Sequence, residues 1–359
     1  MRGTPIRVTA VAGTPVEMGE AHGRAHADEI REYTAGRVEL SGAGTSLGRD
    51  ELLDLGETLV DAHREYDADL FEEMVALADA SGLSIPEAII VGGYTDFLDV
   101  VAAAAGGAGF EDDCTAVITP DALSDGAGFL AQTWDMNASA TPHVIMLDID
   151  PDGGPRSLVF TTVGTLGQIG MNEAGIAVGI NNLTAADGRP GVTWPFAVRK
   201  ALAQTTFDDA MAAITGAKLA GGHNFLVFDR LGNGASIEAM PTRTHVELLG
   251  DSPVFHTNHC LVPETIAVEG PRPDDLTRSS LLRIEHAAEQ LGSGPITVDS
   301  LMDLTRDERS ICRHPEPPFD YESCGAAIMR PATGDFWACW GIPSENDYEH
   351  FSLTVPSVP

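Results

Sequence analysis

The sequence predicts an α+β fold in which helices and antiparallel strands are segregated along the chain. Three observations carry this expectation. Up to about residue 110, apolar residues recur at spacings of three and four, the helical period. From Cys114 onward, short apolar runs rich in β-branched and aromatic residues are separated by Gly, Asp and Pro turns. Two helix groups are set apart among those strands, which suits two sheets packed face to face between helices.

Taken in order, "TPVEMGEAHGRAHADEIREYTAGRVEL" opens at a Thr-Pro helix entry, with Thr14 as the capping residue type and Pro15 where its missing N–H costs nothing. "RDELLDLGETLVDAHREYDADLFEEMVALADAS" continues the helical spacing, and Pro86 opens "PEAIIVGGYTDFLDVVAAA". The pattern then changes. "CTAVIT", "GFLAQTWD", "HVIMLDI", "SLVFTTV" and "GIAVGINN" read as strands, followed by helices "PFAVRKALAQ" and "TFDDAMAAIT". Strands "HNFLVFD", "GASIEAM", "HVELL" and "PVFHTN" come next. Helices "SSLLRIEHAAEQL" and "TVDSLMDLTRD" precede three last strands around "CGAAIMR", "DFWACWG" and "HFSLTV". No internal repeat and no long low-complexity tract is present.

At 359 residues the chain is long enough for a sizeable core. Its formal charge of −33 is far from ordinary, and Lys200 and Lys218 are the only lysines. Such a surface repels nucleic acid and anionic membranes, so both are excluded as main partners. The longest apolar runs fall short of a membrane span, and no secretory signal is legible at the start of the sequence. Five cysteines at irregular spacing (Cys114, Cys260, Cys312, Cys324 and Cys339) argue against a disulfide framework and for a reducing compartment. A cytoplasmic location is the resulting expectation, with homo-oligomerisation left open.

Cys114 stands at a strand start, behind the small-residue run "VAAAAGGAG" and the acids Glu111, Asp112 and Asp113. A free cysteine is most often a small buried hydrophobe. A nucleophile needs a base, a positive group and an oxyanion donor. Cleavage of the Asp113–Cys114 bond supplies one base directly. It frees an α-amine with an ordinary pKa of about 7.7–8.0, suited to taking the thiol proton at working pH. The run ahead of it is then compliant enough to let the new end move away. His256, His259 and Cys260, with Cys312 and His314 later, lack the paired, repeated spacing of a structural zinc site, and no metal is expected. The glycines between Met171 and Asn182 form neither G-x-G-x-x-G nor a Walker pattern, so no nucleotide cofactor is expected.

"GTPVEMGEAHG" (residues 13–23), "DCTA" (113–116), "QTWD" (132–135), "GQIGMNEAGIAVGINNL" (167–183), "HTNHCL" (256–261) and "SICR" (310–313) occur in this order. The ordered set resembles the isopenicillin N acyltransferase family of N-terminal-nucleophile hydrolases, the C45 peptidases, over nearly the whole chain. The resemblance implies a four-layer αββα sandwich with a helical N-terminal segment and self-cleavage just before the cysteine. Residues 1–113 would then be a bound α-subunit segment and residues 114–359 the catalytic β subunit. Cys114 would be the nucleophile for processing and turnover, and Asp135 would hold or orient the new α-amine. Asn258 would donate to the oxyanion, Arg313 would support the thiolate or a substrate carboxylate, and Asn181 would supply a second polar contact. Two positions depart from the pattern. Asp113 stands where the family has Gly, which tolerates a strained scissile bond better, and Ala116 replaces a second Thr.

The chemistry this implies is acyl transfer through a thioester, with no cofactor. Water as acceptor makes the protein an amidohydrolase of small N-acyl amines or N-acyl amino acids. An amine acceptor, with acyl-CoA or an amide as donor, makes it an acyltransferase. The absence of a basic cluster for CoA phosphates in so acidic a chain favours hydrolysis. An uncut, catalytically silent binding protein is the alternative from a different class, and Asp113 is what raises it.

Overall fold

The computed structural model describes residues 5–106, 113–292, 294–316 and 320–356, with Asp113 described through its backbone. The acidic approach to Cys114, Glu111 and Asp112, and the side chain of Asp113 lie outside the described residues. The chain opens with a strand, β1 (Val8–Gly13), followed by α1 (Pro15–Ala25), α2 (Ala27–Ser41), α3 (Arg49–Glu57), α4 (Val60–Tyr66), α5 (Ala68–Ser81), α6 (Ile85–Gly92) and α7 (Tyr94–Ala105). Then come β2 (Asp113–Thr119), β3 (Phe129–Asn137), β4 (Val144–Pro151), β5 (Ser157–Thr162), β6 (Ile169–Asn172) and β7 (Ile176–Leu183). The helices α8 (Trp194–Leu202) and α9 (Phe207–Thr215) lead to β8 (Gly222–Asp229), β9 (Gly234–Ala239), β10 (Thr244–Leu248) and β11 (Val254–His256). After α10 (Pro263–Ile266), α11 (Asp274–Leu291) and α12 (Val298–Thr305), the chain closes with β12 (Tyr321–Arg330), β13 (Asp335–Trp340) and β14 (Tyr348–Ser352).

Local chemistry explains the helix starts. Thr14 caps α1, its side chain accepting from the Glu17 N–H while Glu17 reaches back to the Thr14 N–H, and Ser84 and Glu87 repeat this box at α6. Two strands escaped the sequence reading. β1 is an edge strand whose partner, β4, is parallel and far away in sequence, so no hairpin signal marks it. β6 is four residues long inside a glycine-rich stretch.

The strands form two sheets. One runs β1-β4-β5-β6-β7-β8-β9-β10 and the other β11-β2-β3-β12-β13-β14. Apart from the parallel β1–β4 pair, the ladders are antiparallel. β2 and β3 face β7 and β8; α8 and α9 cover the outer face of the first sheet, while α11 and α12 cover that of the second. The result is the four-layer αββα sandwich. Alternation along β2 sorts its side chains: Cys114, Ala116 and Ile118 join the core between the sheets, and Val117 joins the layer beneath α11 and α12. At the centre the two sheets approach closely at Gly179, where a Cβ would lie 2.5 Å from Gln132 Oε1. Gln132 uses this proximity: its Oε1 accepts from the Ile180 N–H at 2.8 Å and its Nε2 donates to the Ile180 carbonyl at 3.1 Å. It thereby completes the β7 backbone beyond the short β6.

The N-terminal helices dock on the first sheet through buried polar groups. Asp96 accepts from the Trp194 N–H at 2.6 Å and lies 3.0 Å from His223 Nδ1, and Asp99 accepts from the Gly222 and Ala185 N–H groups. Glu73 pairs with Arg199 at 2.7 Å, both nearly inaccessible. His22 accepts from the Gly164 N–H at 3.1 Å, and His63 Nε2 lies 3.1 Å from the Thr193 nitrogen and 2.9 Å from its Oγ1. α1 lies directly against α5 because Gly19 and Gly23 face it. A Cβ at Gly19 would fall 2.1 Å from the Glu73 carbonyl oxygen, and one at Gly23 would fall 2.6 Å from that of Leu77. Among the described residues no single helix is long and apolar enough to cross a membrane.

Two outcomes follow from this packing. Gly19→Ala must push α1 away from α5, and the expected cost is about 1–3 kcal/mol, read as a lower denaturant midpoint. Burial drives the His22 and His63 pKa values down to about 3 and about 4. Both lie below the unfolded value of about 6.5, so the folded form prefers these rings neutral and stability is lost as pH falls from about 6.5 towards those values. A double variant, His22→Asn with His63→Gln, should show a shallower fall in denaturant midpoint between pH 6.5 and 4 than the wild type.

Candidate active site

Cys114 lies at the start of β2, opposite Trp134 of β3, with its side chain fully buried in the space between the sheets. Trp134 is wedged edge-on against Phe160 at 6.3 Å and walls the same space. The four other cysteines are also buried. Burial pushes each thiol up, that of Cys339 to about 12, which suits them to core packing.

The backbone of Cys114 carries the distinctive contacts. Its N–H donates to Asn258 Oδ1 at 2.7 Å. Asn258 Nδ2 donates at 3.1 Å to the carbonyl of Asn182, on β7 of the opposite sheet. Arg283 of α11, fully buried, donates from Nη1 to the Cys114 carbonyl and, at 3.2 Å, to Thr115 Oγ1. Its Nη2 donates to Asn258 Oδ1 at 2.9 Å. Two donors converging on one amide oxygen and a carbonyl facing the amide nitrogen fix which way the Asn258 side chain points.

Asn258 follows β11 and is held in turn. Its N–H donates to Ser280 Oγ at 2.9 Å, and the same oxygen meets Thr257 Oγ1 at 2.8 Å and His259 Nδ1 at 2.7 Å. His259 has its pKa lowered to about 4, by burial first and then by the charges of His256, Arg283 and Arg272. His256 reaches the other way, to Glu238 at 2.9 Å. Burial pushes the Glu238 carboxyl up, but the His256 hydrogen bond and charge, with Thr265 and the Leu261 N–H, outweigh it and hold it below the usual range. The two histidines therefore serve separate networks. Cys312 and His314 both reach Ser344.

Asp135 is buried on β3, across the ladder from the Asp113 backbone, and its Oδ1 accepts from Ser323 Oγ at 2.6 Å. The same Ser323 hydroxyl accepts from the Arg313 N–H at 2.9 Å, and the Ser323 N–H donates to the Arg313 carbonyl at 3.0 Å. Arg313, half-buried, is thus tied through its backbone and Ser323 to Asp135. Asn181 is fully buried on β7. It lies two residues from Gly179, which faces Gln132, so strand alternation turns it to the same inter-sheet space as Cys114. Its Oδ1 accepts from Asn224 Nδ2 at 3.2 Å, and Asn224 Oδ1 accepts from Ser236 Oγ at 2.8 Å. In this ladder the buried Nδ2 of Asn181 has no hydrogen-bond partner.

The structure thus joins Cys114 directly to Asn258, and places Asp135, Arg313 and Asn181 around the same strand ends. Sequence reasoning missed Arg283, Ser280 and Ser323. A signal for two of them was present: the buried positions of α11 are Ser280, Arg283, Ala287 and Leu291, so a serine and an arginine occupy the stripe that should be apolar. Two surface grooves lie away from these residues. One of about 790 Å³ lies between α1 and α5 beside Val16 and Phe71, and one of about 970 Å³ lies along α2 and α3 beside Leu40 and Leu52.

Comparison with known proteins finds relatives of the chain. The curated acyl-coenzyme A:6-aminopenicillanic-acid-acyltransferase 40 kDa form of Emericella nidulans is 27% identical over 311 residues, covering 84% of this chain and 83% of that protein. Among solved structures, a mutant of conjugated bile acid hydrolase from Clostridium perfringens aligns with 68% of this chain and 99% of its own, at a TM-score of 0.44 and 10% identity. Penicillin V acylase from Agrobacterium tumefaciens aligns with 63% of this chain and 82% of its own, at a TM-score of 0.41 and 12% identity. The family profile described as acyl-coenzyme A:6-aminopenicillanic acid acyl-transferase matches residues 123–345. That stretch is more than half of the chain, which therefore belongs to the acyl-coenzyme A:6-aminopenicillanic acid acyl-transferase family.

Proposed function

We propose that Cys114 becomes the N-terminal residue of a mature enzyme by cleavage after Asp113, and that it hydrolyses small N-acyl amines or N-acyl amino acids through a thioester. The observation that carries this reading is the 2.7 Å hydrogen bond from the Cys114 nitrogen to Asn258, in a site where Asn181 offers a buried, unpartnered amide donor.

The steps follow from the groups present. The freed α-amine takes the proton of Sγ–H, and the sulfur attacks the amide carbonyl carbon. Asn181 Nδ2 donates to the oxyanion; a donor of this kind typically lowers the barrier by about 3–4 kcal/mol. Asn258 accepts an N–H from the α-amine through Oδ1 and so aims the nitrogen lone pair at the thiol. Collapse breaks the C–N bond while the α-ammonium returns its proton to the leaving nitrogen. Water then attacks the thioester, giving its proton to the α-amine, and the carboxylic acid leaves the regenerated thiol. Asp135 and Arg313, joined through Ser323, stabilise the new chain end and a substrate carboxylate respectively. Asn258 was expected from sequence to serve the oxyanion; its hydrogen bonds support the task of holding the amine instead, and Asn181 takes the donor role. In the continuous chain Cys114 is inaccessible, so release of the Asp113 end is what admits substrate.

Acyl transfer to an amine is the second reading, favoured by the acyltransferase family match. It differs only in the second acceptor, and transfer to an added amine outrunning hydrolysis would establish it.

Intact mass of the purified protein should show two fragments, the second beginning at Cys114. Cys114→Ala should leave one inactive, uncut chain. Cleavage in that variant, or a wild-type chain that stays whole and resists thiol labelling, would favour the silent binding protein. Asn181→Ala should lower kcat by roughly two to three orders of magnitude, with little change in KM or in thermal stability. An effect confined to stability would return Asn181 to the core.

A further inference from the structure

Arg283 is a buried cation in contact with the Cys114 backbone, and the steps above give it no chemical task. Its two terminal nitrogens address both ends of the nucleophilic residue. Nη1 donates to the Cys114 carbonyl, and Nη2 donates at 2.9 Å to the same Asn258 oxygen that receives the Cys114 N–H at 2.7 Å. The guanidinium therefore lies one shared acceptor atom away from the nitrogen that cleavage would convert into an α-amine. A guanidinium is a fixed cation at working pH, and a nearby like charge disfavours the charged form of a titrating group.

Resting on the reading of Cys114 as an N-terminal nucleophile, we propose that Arg283 is a positioning residue that keeps the mature α-amine neutral and able to take the thiol proton. The fixed positive charge beside that amine disfavours its protonation, and Arg283 orients the amine by holding the Asn258 oxygen towards it. A neutral amine donates an N–H to Asn258 and keeps its lone pair for the Sγ–H proton. An ammonium makes the same hydrogen bond but has no lone pair to offer and sits against the guanidinium.

The other charged groups around this nitrogen are accounted for by element. On β3, Asp135 lies across from the Asp113 position, and the carboxyl end freed at Asp113 adds a second acid; both favour the ammonium. Beyond β11, His259 has its pKa lowered to about 4, and His256 is engaged with Glu238. Arg313 joins Asp135 through Ser323, and the charge of Arg272 acts on His259. β7 contributes the neutral Asn182 carbonyl. Arg283 is the cation that opposes the two acids through a direct contact with the Cys114 backbone.

The test is the acid limb of the kcat/KM profile of the matured enzyme, measured with the N-acyl amino acid that the wild type turns over fastest. Arg283→Gln should move this limb upward by about one pH unit, whereas Arg283→Lys, which keeps the charge, should leave it near the wild-type position. Lower activity in both variants with the limb unmoved would overturn the proposal and leave Arg283 a packing residue. Should Arg283→Gln fail to fold, wild-type protein carrying ¹⁵N-cysteine answers directly: the α-amine should titrate below the usual range of about 7.7–8.0, and a value at or above it overturns the proposal. Intact mass separates the two readings. An uncut chain removes the amine and overturns both; a cut chain with an ordinary amine overturns this one alone.

Discussion

The structure depends at its centre on one side-chain amide. Asn258 accepts from the start of β2 and donates to the end of β7, so one carboxamide ties the nucleophile strand to the opposite sheet. No near relative of asparagine replaces it. Aspartate has no donor for the Asn182 carbonyl, and glutamine is one methylene too long for a gap set by two packed sheets. The site is buried, so each group left without a partner by its loss carries a desolvation cost of about 1–3 kcal/mol. Arg283 and Ser280 hold this amide from α11. The outer helix layer thereby reaches through the sheet edge to the place where the chain would be cut.

The N-terminal helices follow a similar logic on a larger scale. Their contacts with the first sheet, its loops and α8 include carboxylates and imidazoles meeting backbone N–H groups: Asp96 at Trp194, Asp99 at Gly222 and Ala185, and His22 at Gly164. Burial raises the carboxyl pKa of Asp99 well above normal, while the N–H groups pull it back. Such contacts are costly to open, because buried donors and acceptors would be left without partners. Directional polar contacts of this kind also fix one orientation of the helices on the sheet, which a purely apolar interface would specify less sharply.

Much of this was legible in the sequence, for identifiable reasons. The change of period near residue 110 located the helix-to-strand boundary, and alternation in "CTAVIT" and "GFLAQTWD" gave β2 and β3 almost to the residue. The long helical stretch of residues 14–40 divides at His26 because α1 must turn to lie along α5, a tertiary demand that no local pattern carries. β1 and β6 were hidden because one pairs in parallel with a distant strand and the other is only a few residues long. At the site, Cys114, Asp135, Asn181, Asn258 and Arg313 were singled out in an ordered set, each with an expected task, but the contacts that orient them were not legible. Which atom of Asn258 faces Cys114 is decided by Arg283, and Arg283 is visible in sequence only as a charge in the wrong stripe of a helix.

The parallel pairing of β1 with β4 has a last consequence. β1 precedes the proposed cut and β4 follows it, so the severed molecule would possess a sheet whose ladder is shared by two separate polypeptides. Before the cut, that ladder forms within one chain at a rate indifferent to concentration. Afterwards, a molecule that has lost its structure can regain it only by a bimolecular encounter between two partners of its own making. Maturation would then make folding a one-way event, with lifetime governed by the barrier to coming apart rather than by an equilibrium.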